Sequence, residues 1–174
     1  MEQVENVARR RLLRGRFKSQ PIEKHLRLPW VISEEAFSQL CTRCDKCIDV
    51  CETKVLKKDK QGLPFVDFNT AECTFCSECE KSCEQPLFID NEQRKTRKAW
   101  QASITINNKC LAKNHIYCQS CRDVCEPRAI SFSYSNGAIP TPEINESDCT
   151  LCGACVSSCP QPAIKIEELI HEPS

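Results

Sequence analysis

Sixteen of the 174 residues are cysteine, and they fall into four groups of four. Three groups share one spacing, C-x2-C-x2-C-x3-C: Cys41, Cys44, Cys47 and Cys51; Cys73, Cys76, Cys79 and Cys83; Cys149, Cys152, Cys155 and Cys159. The remaining group, Cys110, Cys118, Cys121 and Cys125, differs only in a longer first gap. That spacing is the bacterial-type ligand run for a [4Fe–4S] cluster. Four runs imply four clusters in one small chain.

The spacing has a mechanical reason. Three thiolates two residues apart let a tight loop wrap one face of the cube. The fourth cysteine is expected to open a helix pointing away from that loop, and in two-cluster ferredoxins it ligates the neighbouring cluster. Applied to this chain, Cys41, Cys44 and Cys47 take Cys83, while Cys73, Cys76 and Cys79 take Cys51. In the same way Cys110, Cys118 and Cys121 take Cys159, and Cys149, Cys152 and Cys155 take Cys125. All sixteen are used.

Other uses of cysteine compete less well. A disulfide framework needs a secreted context, and residues 1–30 carry no apolar core of a signal peptide. Structural zinc sites combine two separated C-x2-C pairs rather than unbroken triplets. Oxygen-sensitive clusters and unpaired thiolates suit a reducing cytoplasm, which is the location expected.

Aromatic residues make up only 6% of the chain, so each half is short of material for an ordinary core. Small domains of this kind need a covalent or metal staple, and folding is expected to coincide with metal binding. The formal net charge is zero, so no overall field favours nucleic acid or a membrane surface. No stretch reaches the roughly 20 apolar residues of a membrane span. Basic residues are nevertheless crowded at Arg9, Arg10, Arg11, Arg14, Arg16 and Lys18, and again at Arg94, Lys95, Arg97 and Lys98.

The repeat predicts an α+β fold of two tandem bacterial dicluster-ferredoxin modules, with short hairpins and short helices around four [4Fe–4S] clusters. Four segments are expected: a basic N-terminal arm and short helix at 1–40, a first module at 41–91, a basic linker at 92–99 and a second module at 100–174. Strands are expected around residues 55–57, 65–68, 87–89, 103–106, 129–134, 138–144 and 163–166, with an Asn136-Gly137 turn in the second half. Ser33 is a candidate N-cap, with Glu34 and Glu35 in the first turn. Its helix is expected to lay Trp30 and Phe37 over the first cluster. Gly153 is expected to let the backbone approach the fourth cluster, and Phe75 to shield one. Arg43 and Lys46 beside the first motif, against Glu78 and Glu80 beside the second, predict a higher potential for the first cluster. His25, His115 and His171 have no motif context. No phosphate loop, catalytic triad or carboxylate pair stands out, so an electron carrier is expected rather than an enzyme.

The chain resembles the NapF family of ferredoxin-type proteins, accessory proteins of the periplasmic nitrate reductase system. The resemblance rests on Arg9-Arg10-Arg11-Leu12-Leu13-Arg14-Gly15-Arg16-Phe17, Leu28-Pro29-Trp30, and Cys41-Thr42-Arg43-Cys44-Asp45-Lys46-Cys47. It extends to Arg97-Lys98-Ala99-Trp100 and to the stretched third motif ending Cys125-Glu126-Pro127. It implies a cytoplasmic four-cluster protein acting on the catalytic subunit of periplasmic nitrate reductase before that subunit is exported, by supplying electrons or aiding cluster assembly. It also leaves room for transient contact with other redox proteins. A conventional electron-transfer subunit of another oxidoreductase complex is the alternative.

Overall fold

A computed structural model of the chain describes residues 25–134 and 137–169. The Arg-rich run at 9–18, Asn136 of the expected turn and His171 lie outside them. The elements in chain order are α1 (Glu34–Leu40), α2 (Lys46–Asp49), β1 (Leu56–Lys58), β2 (Pro64–Val66), α3 (Glu78–Lys81), α4 (Asn91–Arg94), β3 (Ala102–Ile106), a 3-10 turn (Ala112–Asn114), α5 (Ser120–Asp123), β4 (Ile130–Ser133), β5 (Thr141–Ile144), α6 (Ala154–Ser157) and β6 (Ile164–Glu168). The mixture of short helices and strands is the α+β composition expected.

One layout is drawn twice. In each half an antiparallel hairpin follows the first cysteine motif: β1 with β2, pairing Leu56 with Val66, and β4 with β5, pairing Ile130 with Ile144. Each half is closed by an outer pairing that brings its ends together. In the second half this is β3 with β6, pairing Ile104 with Ile166. In the first half it shrinks to a single bridge between Val31 and Phe88. There the Ile32 N–H donates to the Leu87 carbonyl and the Ile89 N–H to the Trp30 carbonyl, both at 2.9 Å. The strand expected at 87–89 is thus no more than a bridge, because Pro86 has no N–H to extend the ladder upstream.

Physically, the first half begins upstream of its first cysteine. Ser33 caps α1, its Oγ accepting the Ala36 N–H at 3.1 Å, which turns Phe37 inward to 1% exposure. Leu28 and Phe37 share a core with Val55, Leu56, Leu63, Val66 and Leu87. Arg27 pins the entering chain to the first hairpin, with its guanidinium paired to both Glu34 and Asp59. The segment expected as a basic linker, 92–99, carries the end of α4, whose cap is the Asp90 side chain accepting from the Gln93 N–H.

A continuous set of buried side chains runs from one half to the other. Trp100 is its hinge pin. Its ring meets Phe68 edge-on at 5.5 Å and Phe75 at 5.7 Å, and its indole N–H donates to the Arg27 carbonyl at 2.9 Å. Opposite Phe68 stands Gly153 with φ +85. A Cβ there would lie 2.7 Å from Phe68 Cε1 and nearer still to Cγ and Cδ1. Gly153 therefore makes room for a ring from the first half.

That contact predicts a large penalty for Gly153→Ala. Overpacking against Phe68 and left-handed strain together should cost about 2–4 kcal/mol. Gly62→Ala, also at positive φ but facing only Arg43 Cδ at 3.6 Å, should cost about 1 kcal/mol. Thermal melts of the two variants against the parent check the ranking.

Candidate iron–sulfur sites

The cysteine loops owe their shape to residues in the left-handed region. In the first motif these are Arg43 (φ 58) and Asp45 (φ 66), in the second Phe75 (φ 56) and Ser77 (φ 62), and in the fourth Leu151 (φ 64) and Gly153 (φ 85). Each pair flanks the second cysteine of its run. Alternating left- and right-handed residues turn successive backbone N–H groups toward one side, forming the concavity that binds anionic groups, iron–sulfur sites among them. The second left-handed residue then serves as N-cap of a one-turn helix that carries the third cysteine: α2, α3 and α6. The fourth cysteine does not open a helix, as the spacing suggested. It follows the C-cap, since one helical turn is all that fits between the third cysteine and the fourth.

The third motif takes another route. Its extra residues fold into the 3-10 turn, and His115 (φ 60) reverses the chain. The Asn114 side-chain amide donates to the Asn108 and Cys110 carbonyls at 2.7 and 2.8 Å. Ala112 is 1% exposed and anchors the excursion. Cys118 is thereby returned to the neighbourhood of Cys110 despite the long gap.

The thiols gather in crosswise groups. A cavity is lined by Cys41, Cys44, Cys47 and Cys83, together with Leu28 and Phe37. Another is lined by Cys110, Cys118, Cys121 and Cys159, with Ile106, Phe132 and Ile164. Thiol electrostatics tell the same story. Cys47 is pushed up to about 12 by burial, then by Cys41, Cys44 and Cys83. Burial pushes Cys73 up to about 11 against the pull of the Phe75 N–H, with Cys51, Cys76 and Cys152 adding to the rise. Cys155 rises to about 12 through burial and then Cys152, Cys149, Cys121 and Cys125. Cys121 rises to about 11 through burial, opposed by the Arg122 N–H, with Cys110 and Cys118 contributing. Exposed Cys44 is lowered instead, by the Lys46 N–H and the Thr42 hydroxyl. In Cys51 burial is outweighed by donors from Leu56, Thr53, Val55 and Lys54.

All sixteen cysteines are free thiols. Among the described residues no three His, Cys, Asp or Glu side chains are gathered closely enough to hold a single metal ion. Sets of four soft sulfur donors spread around a common cavity, with inward N–H groups, fit a polynuclear iron–sulfur group.

The groups also form a sequence in space. Cys79 feels Cys47 across the first half, and Cys155 feels Cys121 across the second. The halves are joined where the Cys73 N–H donates to the Cys152 carbonyl at 2.8 Å. The thiol sets of the four motifs therefore follow one another as first, second, fourth and third.

Several expectations about neighbouring residues change. Phe37 does line the first cavity, but Trp30 packs against Phe75 of the second motif, ring centroids 5.6 Å apart. Phe75 belongs to that aromatic seam between the halves. Of the charges expected to set the first two motifs apart, Lys46 pairs with Glu84, Glu78 with Lys81 and Glu80 with Arg94, while Arg43 donates to the Gln61 carbonyl. His25 stacks on Phe65 at 4.2 Å. The basic run at 94–98, read as linker charge, hides a structural arginine. Arg94 forks onto Glu80, donates to the Ile89 carbonyl and lies 5.1 Å over the Trp30 ring.

Residues 116–163 match the 4Fe-4S dicluster domain family. With that match and the thiol geometry, the chain is of the ferredoxin class, iron–sulfur proteins that carry electrons. It is 40% identical over 164 residues to the ferredoxin-type protein NapF of Escherichia coli (strain K12), covering 94% of this chain and 96% of that one. It is 38% identical to NapF of Haemophilus influenzae (strain ATCC 51907 / DSM 11121 / KW20 / Rd), covering 95% and 97%. A more distant similarity, 28% identity over 81% of this chain and 69% of the relative, links it to the ferredoxin-type protein NapG of Escherichia coli (strain K12). The chain belongs to the NapF family of ferredoxin-type proteins. Among the described residues no helix is long and apolar enough to cross a membrane.

Replacing Arg94 separates its fork from its charge. Lysine keeps the charge but has no fork with which to hold Glu80 and the Ile89 carbonyl together. Arg94→Lys should lose about 1–2 kcal/mol of stability, read as a lowered denaturation midpoint with the iron content unchanged.

Proposed function

We propose that this chain is a cytoplasmic accessory protein holding four [4Fe–4S] clusters in two tandem dicluster modules. The ligands are the crosswise sets: Cys41, Cys44, Cys47 with Cys83; Cys73, Cys76, Cys79 with Cys51; Cys110, Cys118, Cys121 with Cys159; and Cys149, Cys152, Cys155 with Cys125. The observation that carries this reading is the convergence of each triplet on the fourth cysteine of its partner motif, visible at the two cavities and in the mutual repulsion of the buried thiols. Buried thiols pushed to 11 or 12 do not ionise at neutral pH on their own. Binding iron supplies the positive charge that lets them do so, which ties metal binding to folding.

The physiological partner proposed is the catalytic subunit of periplasmic nitrate reductase, served before its export by electron supply or by help with cluster assembly. This rests on membership of the NapF family and on the similarity to NapG. A second reading, an electron-transfer subunit of another oxidoreductase complex, draws on the 28% identity to the methylamine utilization ferredoxin-type protein MauM of Methylobacillus flagellatus (strain ATCC 51484 / DSM 6875 / VKM B-1610 / KT). Affinity capture from anaerobic cell extract separates them. The first reading expects the nitrate reductase precursor, the second a stable complex of another oxidoreductase.

The cluster assignment has its own test. Anaerobically purified protein should contain about sixteen iron and sixteen acid-labile sulfide per chain, four of each in every cubane. Cys51→Ala should perturb the same EPR signal as Cys76→Ala, and Cys83→Ala the same signal as Cys44→Ala. Pairing of Cys51 with Cys44 instead would defeat the crosswise scheme.

A further inference from the structure

Trp30 has a buried donor with nothing to bond. Among the described residues its indole Nε1 is the one buried side-chain nitrogen or oxygen without a hydrogen-bond partner. Indole N–H is a donor only, and leaving it unsatisfied away from water is costly. The second tryptophan shows the contrast, since Trp100 Nε1 donates to the Arg27 carbonyl at 2.9 Å.

The oxygen acceptors around Trp30 are already engaged. Its own carbonyl accepts the Ile89 N–H. The Ile89 carbonyl accepts from both Nε and Nη2 of Arg94, and the Glu80 carboxylate is held by the same guanidinium. Meanwhile the Trp30 ring lies against Phe75, in the loop between Cys73 and Cys76, whose backbone N–H bonds the Cys73 thiol. Arg94, over the Trp30 ring and paired with Glu80, ties Trp30 to the helix that carries Cys79.

We infer that the Trp30 indole N–H is a hydrogen-bond donor to sulfur of the iron–sulfur group bound by Cys51, Cys73, Cys76 and Cys79, and that it sets that group's potential. The inference rests on the cluster assignment proposed above. A donor to sulfur stabilises the more negative, reduced state and so raises the potential. Arg94 acts as the positioning residue, holding the ring in place while occupying the competing oxygens. Ion pairs take up the charges of Lys46, Glu78 and Glu80, so this neutral donor is a further device that distinguishes the second group.

The test is an EPR-monitored redox titration of the anaerobic holoprotein. Trp30→Phe keeps an aromatic ring and removes the donor together with the second ring of the indole. It should make one of the four clusters about tenfold harder to reduce, a fall of about 59 mV for one electron, with the others unmoved. Trp100→Phe makes the same ring change in the same aromatic seam and should leave all four potentials in place. Pulsed EPR of the reduced, otherwise unaltered chain labelled with 15N-tryptophan should show coupling to an indole nitrogen, a measurement that needs no variant to fold. Full iron content with unshifted potentials in Trp30→Phe, or no nitrogen coupling in the labelled chain, overturns the inference alone. A parent protein without iron and sulfide overturns the cluster assignment and this inference together.

Discussion

Sixteen thiols held within so small a protein repel one another once ionised, and burial makes each charge dearer still. Cys47, Cys79 and Cys155, each the third cysteine of its run, are driven to about 12 by those two effects acting together. Everything else in the fold answers to that constraint. The left-handed residues aim backbone N–H groups at the sulfurs, and the one-turn helices put the third cysteine at the centre of each half. A positive polynuclear group in each thiol set is the natural way to relieve the repulsion.

The two halves are more than beads on a string. Trp100, Phe68 and Phe75 form an aromatic seam, and Gly153 is small because Phe68 needs the space. At the same seam the second and fourth cysteine loops share a backbone hydrogen bond. A chain built this way keeps its thiol sets in a fixed linear order. Fixed spacing is what a relay of one-electron carriers requires, in keeping with the ferredoxin class to which the chain belongs.

Much of this was legible in the primary structure. The cysteine spacing grouped thiols that do line common cavities, and the strands expected at 129–134 and 103–106 formed as β4 and β3. Ser33 was readable as a cap because its hydroxyl and the following acidic turn are local features. Trp30 was misplaced, since its choice of neighbour depends on the Val31–Phe88 bridge, a pairing of residues far apart in the chain. The second demand on Gly153 was hidden for the same reason: its small size also answers to a ring from the other half. Arg94 looked like linker charge because a guanidinium's role depends on which carboxylate and carbonyl come within its reach.

Sequence alone determined how the thiols are grouped, because the reach of three thiols around one loop is set by two-residue gaps. It also determined the family, through residues spread over nearly the whole chain. Tertiary structure decided how the stretched third loop brings Cys118 back to Cys110, which thiol sets adjoin across the seam, and that Trp30, packed on Phe75, keeps an unanswered N–H. Those outcomes are long-range: each is fixed by packing between segments whose separation along the chain carries no local signal.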